Sequence, residues 1–473
     1  MSEGTLRVQK WTLAKIARAM EGQLLNHHMG QGKVSGVGTD TRTLEGGELF
    51  VALIGERFDG HRFLEEAQEG GASAMVVERA SAATHCEVPA IVVDDTTKAL
   101  ARLGRELFRE ARQEGMHSVA VTGSNGKTTT KEILSVLWGI DGSVWATPGN
   151  FNNHIGVPLT LCALPDDCDH LILEMGANHR GEIAELIRLA PADKRVITSI
   201  GRAHLEGFGS MAGVRKAKAE ILEVASRATR AIMPVEERAA LEPRAFLGYA
   251  IGFGERQDAE MQITGIDASQ DNPMGMDVTL QYQGQKWSLA LPLIGDHNAY
   301  NLAAALSTMV GTRIVEEEAR LNQALKDLEL PGGRLRQIEL AGMSIIDDAY
   351  NANPASLRAS LAACRRWGGE DDGLTLVIGE MKELGKGAEQ EHREMGRWIG
   401  EQGWVDSVVF MGGHAEIMAD SARRASRRLE IRASEDHDEV AHWIRNERPT
   451  KLFLKGSRAN RLELIVEKLE QSG

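Results

Sequence analysis

The stretch His117 to Ile140, "HSVAVTGSNGKTTTKEILSVLWGI", limits what this chain can become more than any other. A short apolar run enters a glycine turn, and the turn opens a long segment of helical character. A buried strand delivered straight into a helix is the unit from which parallel sheets covered on both faces are built. The same alternation recurs along the chain. "GELFVALIG", "ASAMVVE" and "VPAIVVDD" read as strands, with "HRFLEEAQEGG" and "TTKALARLGRELFREAR" as helices. "DHLILEMGAN" and "KRVITSI" read as strands on either side of helical "GEIAELIRLA". Between about 260 and 293 the period falls to two, in "GMDVTLQYQG" and "KWSLALPL", as an antiparallel excursion would show; "DHNAYNLAAALSTMV" then returns to helix. Past the turn-rich "ELPGGRLRQI" come four more strands, in "MSIIDDAYNANP", "LTLVIGEM", "DSVVFMG" and "TKLFLKGS", each ending in polar or glycine residues.

These patterns predict an α/β protein of three domains, at 1–112, 113–330 and 331–473. The middle one carries a phosphate-loop-type, mostly parallel sheet. The last is a Rossmann-like α/β unit whose polar strand ends share one rim, where open sheets bind ligands. A length of 473 residues suits that count. The formal net charge of -14 argues against a general nucleic-acid surface, which needs a basic face. No run approaches the roughly 20 apolar residues of a membrane span, and the N-terminus carries no signal-type apolar run, so a cytoplasmic protein is expected. Cys86, Cys162, Cys168 and Cys364 form no C-x-x-C and no zinc-like spacing with histidine, which makes them small core residues.

Gly126-Lys127-Thr128 is how a phosphate-binding loop ends. The longer form of that loop has a glycine five residues before its last one, where this chain has Val121; Gly123 is the earlier glycine here. The strand before and the helix after supply the context such a loop requires. Backbone N–H groups from Ser124 to Lys127 can ring a phosphate, Lys127 adds a point charge, and the Thr128 hydroxyl is placed for Mg²⁺. Glu174 ends a strand as a candidate hard-metal ligand. His204 follows the next strand; a lone histidine is more often a packing residue, and the two gain weight only together. In "SMAGVRKAKAEILEVA", Lys218 shares a helical face with Met211, Val214, Ile221 and Leu222, whereas Lys216 falls among Glu220 and Glu223. A buried amine loses its charge and can then add CO₂ as a carbamate, an anionic metal ligand. The pattern by itself favours a lysine that snorkels to water instead. Asn298 and Asn301, at i and i+3, present carboxamides that both donate and accept, as an adenine edge requires, though Asn298 could simply cap its helix.

With these residues collected, the sequence resembles the Mur ligases, the ATP-dependent amide-forming enzymes of peptidoglycan synthesis, over essentially its whole length. The family's loop is the short form, Gly-Thr/Ser-Asn-Gly-Lys-Thr/Ser, which "TGSNGKTT" fits, so Val121 occupies no defective position. "GNFNNHIGVPLTL", "LEMGANHRGEI", "AHLEGFGSMAGVRKAKAEI", "PGGRLRQ", "DDAYNANPAS", "GEMKELG" and "KGSR" narrow the likeness to the member that joins D-alanyl-D-alanine to UDP-N-acetylmuramoyl-tripeptide. The sibling that adds the third amino acid typically carries Asp-Asn-Pro-Arg, where this chain has "NANPAS".

The resemblance implies ATP and Mg²⁺ at Gly123, Ser124, Asn125, Gly126, Lys127, Thr128 and Thr129. It implies metal ligation by Glu174 and His204, a carbamate on Lys218, and adenine at Asn298 and Asn301. Arg334 is expected to reach the γ-phosphate, with Asp348 at the ribose and Tyr350 near the nucleotide. Thr39, Asp40, Thr41 and Arg42 resemble the uridine-diphosphate pocket, although the nearby "MGQGKVSG" departs from the family's first domain. Asn150, Asn152, Asn153 and Lys455 are expected at the substrates, in a monomer without nucleic-acid or membrane partners. The rival readings are the tripeptide-forming sibling, folylpolyglutamate synthase, and a nucleotide-switched binding protein.

Overall fold

The computed structural model describes residues 5–26, 32–55, 58–84, 87–201, 205–241, 246–272, 274–368 and 374–471. It contains three main sheets, each followed along the chain by the next. The first has the order Gln23–Leu25, Ala90–Val92, Ala74–Val77, Leu49–Val51, Val37–Gly38, parallel except at its first pair. Its apolar side chains pack into one cluster on each face. The helix Thr96–Gln113, capped by Asp95, leads out of it. Leu100, Leu103 and Leu107 of that helix belong to the first core, while Phe108 and Ala111 belong to the second. One helix therefore serves both units.

The central sheet has nine strands. From Val144–Ala146 it runs through His170–Glu174, His117–Thr122, Lys194–Ile197, Arg230–Pro234 and Tyr249–Gly254 to Met261–Ala268, all parallel. Met276–Tyr282 and Gln285–Leu291 then add antiparallel, which is the expected change of period. Apolar clusters cover both faces, so the inner strands are buried on both sides. The third sheet orders Arg336–Leu340, Met343–Asp347, Lys451–Lys455, Leu374–Gly379, Ser407–Met411, Glu430–Ser434, with only the first pair antiparallel. Among the described residues no helix is long and apolar enough to cross a membrane. Cys162, Cys168 and Cys364 are free and buried, as expected; Cys86 lies outside the described residues.

Sequence reading missed Val144–Ala146, Arg230–Pro234 and Tyr249–Gly254 in the central sheet, Gln23–Leu25 and Val37–Gly38 in the first, and Arg336–Leu340 and Glu430–Ser434 in the third. Five of these, Gln23–Leu25, Val37–Gly38, Val144–Ala146, Arg336–Leu340 and Glu430–Ser434, are edge strands without a fully buried residue, so they carry no long apolar run, whereas Arg230–Pro234 and Tyr249–Gly254 are buried and paired on both sides.

Candidate active site

The position of the site follows from strand order. The chain leaves His117–Thr122 toward one side, through helix Lys127–Trp138 to Val144–Ala146 and back to His170–Glu174; it then crosses to Lys194–Ile197 on the other side. The C-terminal end of His117–Thr122 is therefore a topological switch point, where a crevice opens between diverging connections. The glycine loop fills that crevice. Gly123 has φ +151, and a β-carbon there would sit 2.0 Å from Thr198 Oγ1. Gly126 has φ +82, and a β-carbon would sit 2.2 Å from Asn301 Oδ1. Both positions demand glycine, for backbone conformation and for close approach.

Thr128 and Glu174 meet beside the loop. The Thr128 hydroxyl donates to Glu174 Oε2 at 2.8 Å, and Asn152 Nδ2 donates to Oε1 at 2.7 Å. Glu174 is buried, at the end of a strand buried throughout. A hydroxyl and a carboxylate converging beside a phosphate loop are the hard oxygen donors that Mg²⁺ takes, so the donor set fits that ion. Lys127 Nζ donates to Gly123 O at 3.0 Å. Burial pushes its amine below the ordinary lysine value; Glu174 opposes this and Arg334 adds to it.

Lys218 lies on helix Met211–Ala219 with only 1% of its surface exposed, so the snorkelling alternative fails. Its ammonium lies 5.3 Å from the centre of the Phe208 ring. Burial first, then the charge of Lys127, brings its pKa down to about 7, against the weaker pull of Glu220 and Glu182. A neutral amine is thus accessible near neutral pH. His204, its expected neighbour at the metal, lies outside the described residues, as does part of "MGQGKVSG".

A cavity of about 810 Å³ joins the loop to the third domain. Its lining includes the loop from Ser124 to Thr129, Asn150, Asn152 and Asn153 on one wall, and Arg334, Asp348, Tyr350 and Lys455 opposite. Arg334 stacks its guanidinium 3.5 Å from the centre of the Tyr350 ring. Lys455 donates to Asp348 Oδ2 at 2.5 Å, and Ser360 donates to the same oxygen at 2.7 Å. Asn298 and Asn301 also line the cavity, yet much of their capacity is spent internally. Asn301 Nδ2 donates to Asn298 Oδ1 at 2.9 Å, Asn298 Nδ2 to Ile294 O at 2.8 Å, and Thr130 to Asn301 Oδ1 at 3.3 Å. Asn153 Oδ1 accepts from the N–H groups of Ile155 at 3.0 Å and Gly156 at 2.8 Å, just before the helix Gly156–Cys162.

Thr39 to Thr43 do not join this cavity. Asp40 instead accepts from the Arg42 guanidinium at 2.9 and 2.6 Å, and that pairing holds its carboxyl at about 2. Several cavity residues escaped sequence reading, His297 and Asn353 among them. His297 precedes Asn298 in the quoted "DHNAYN", and burial lowers its pKa. Asn353 is the second asparagine of "NANPAS" and donates to Asn125 Oδ1 at 2.7 Å. Both lay inside motifs already noticed, but nothing local marked them as facing the loop.

Fold and cavity define a three-domain α/β protein of the phosphate-loop class, with its nucleotide-type loop facing the strand ends of another domain. The chain belongs to the Mur ligase family. It matches the Mur ligase middle domain over residues 121–309, the Mur ligase glutamate ligase domain over 333–458 and the Mur ligase catalytic domain over 33–107. It is 35% identical to UDP-N-acetylmuramoyl-tripeptide–D-alanyl-D-alanine ligase of Bacillus subtilis, over 98% of this chain and 99% of that one. The crystal structure of MurF from Acinetobacter baumannii superposes with a TM-score of 0.85 at 30% identity, covering 98% and 99% of the two chains. MurF ligase from Thermotoga maritima, solved in complex with ADP, gives 0.78 at 28% identity over 92% and 98%.

Proposed function

We propose that this protein is the ATP-dependent ligase that joins D-alanyl-D-alanine to UDP-N-acetylmuramoyl-tripeptide, acting in the cytoplasm as a monomer. The observation that carries the reading is full-length relatedness to ligases of that name, with no large segment of either chain left over. The domain division proposed is 1–112 for the UDP-substrate, 113–330 for ATP and 331–473 for closure over both.

A carboxylate has no leaving group and does not acylate an amine at neutral pH. Transfer of the γ-phosphoryl group to the tripeptide's terminal carboxylate releases ADP and makes an acyl phosphate. Attack by the dipeptide amine then forms a tetrahedral intermediate, which expels phosphate as the amide forms and the amine loses its proton. Lys127 and Arg334 spread the charge of phosphoryl transfer from opposite walls of the cavity. Thr128 and Glu174 would hold Mg²⁺, with His204 and a carbamate on Lys218 at a second ion. Bound metal would supply charge neutralisation at the transferring phosphoryl group. Asn298 and Asn301 retain amide hydrogens for adenine, while Asp348 would approach the ribose and Tyr350 would lie near the nucleotide. Asn150, Asn152, Asn153 and Lys455 serve the acyl and amine substrates. Thr39 to Arg42 would receive the uridine diphosphate, Arg42 first releasing Asp40. Closure excludes water from the acyl phosphate.

The test is phosphate release measured with UDP-N-acetylmuramoyl-tripeptide while the amine is varied. Turnover is expected only with both substrates, and best with D-alanyl-D-alanine. Release that ignores the amine would favour a nucleotide switch and overturn the ligase reading.

A further inference from the structure

Asn353 uses both ends of its carboxamide. The oxygen accepts from Ser356 N–H at 2.9 Å and so caps the helix Pro354–Gly368. The nitrogen donates to Asn125 Oδ1 at 2.7 Å, across 228 residues of chain. Asn353 is only 8% exposed, so this contact is made largely out of water. Asn125 is the third of the four loop residues from Gly123 to Gly126, and its backbone is held from the other side. Its N–H donates to Ser199 Oγ at 3.0 Å, and Ser199 Oγ donates to its carbonyl at 3.0 Å. The loop is thus braced by its own domain and touched by the other through a neutral group.

The contact also continues into the third domain. The helix that Asn353 caps carries Ser360, whose hydroxyl binds Asp348, the partner of Lys455. A loop displaced by a fraction of an ångström would lose the 2.7 Å bond or carry the helix with it. Charged groups of the third domain can follow a phosphate over several ångströms, whereas a carboxamide pair is directional and short-ranged. That makes it suited to fixing register between the domains.

We propose that Asn353 is a positioning residue for phosphoryl transfer, locking the third domain onto the phosphate loop through Asn125. The proposal rests on the ligase reading above. A lock that only assists closure acts on turnover more than on nucleotide binding, because ATP can occupy the loop of an undocked domain. Its two halves must also fail as one, since either variant removes the same bond.

The experiment uses the full-length enzyme and the variants Asn353→Ser, Asn125→Ala and the two combined. Serine still caps the helix but cannot reach Asn125. Each single variant is expected to lower kcat about 10-fold with KM for ATP changed less than about 3-fold, and the double variant should fall no further than the worse single. Losses that multiply to about 100-fold, or a wild-type kcat in Asn353→Ser, overturn the proposal. If Asn353→Ser fails to fold, Asn353→Asp keeps the capping oxygen and removes only the N–H donor to Asn125, and a wild-type kcat in that variant overturns the lock. Small-angle scattering reads docking without turnover. All three variants should have a larger radius of gyration than wild type, and identical radii overturn the lock even if the wild-type enzyme proves to make no amide product.

Discussion

Two buried lysines, one in each of the domains that face the cavity, show how environment decides what an amine can do. Lys455 ends a strand of the third sheet and is 3% exposed; Lys218 sits on a helix of the central domain and is 1% exposed. Lys455 has the Asp348 carboxylate at 2.5 Å and two backbone carbonyls, those of Asn351 and Asp348, at 3.2 and 3.4 Å. Lys218 has an aromatic ring at 5.3 Å and the unfavourable charge of Lys127. Burial against a carboxylate makes an ion pair, and burial without a hydrogen-bond partner among the described residues makes a base with a pKa of about 7. The first arrangement holds structure together, and the second stores reactivity.

Removing each ammonium should separate the two cases most widely. Lys455→Met leaves Asp348 buried without its cation and should cost about 3–5 kcal/mol of stability. Lys218→Met should act in the opposite direction in CO₂-free buffer. The lysine's folded pKa, about 7, lies below the unfolded value of 10.5, so below pH 7 it is charged in both states and its burial penalty is fully present. The penalty fades as pH rises from 7 toward 10.5, because only the unfolded state still holds the proton. Urea unfolding should therefore show Lys218→Met more stable than wild type at pH 6, with the gap closing by pH 10. A gap that widens with pH would mean Lys218 is not a depressed base.

Next in size is Lys127→Ala, with kcat expected to fall at least ~10²-fold, as for loss of charge stabilisation present mainly in the transition state. It also sharpens the comparison: with the neighbouring charge gone, the pKa of Lys218 should rise, shifting the pH dependence seen above to higher pH. Near-normal turnover by folded Lys127→Ala would remove the loop from the reaction.

The smallest effect separates carbamate chemistry from simple packing. Lys218→Ala and Lys218→Arg should both lose activity. The alanine variant leaves space for a short carboxylate, so acetate or propionate should restore it by roughly several-fold. The arginine variant should gain nothing, because its guanidinium fills the space and would bring positive charge to the proposed metal site. Full activity of Lys218→Ala without added acid would leave Lys218 no role at the metal.

What the chain settled by itself is what lies within a few residues. The run of apolar residues before Gly123 and the helical period after Lys127 are local periodicities, and strand, loop and helix follow from them. The apolar face of helix Met211–Ala219 told Lys218 from Lys216 for the same reason: side chains at 100° intervals repeat whatever the helix packs against. Tertiary structure alone decided which groups meet. Thr128 and Glu174 are 46 residues apart, Asp348 and Lys455 are 107 apart, and Asn125 and Asn353 are 228 apart. Those encounters depend on strand order and on how the third domain sits over the second, and alternation of strands and helices specifies neither. The pairing of Asp40 with Arg42 shows the same limit at short range. An acid and a guanidinium two residues apart satisfy each other when no ligand competes, and only the folded turn at Thr41–Thr43 brings them within 2.6 Å.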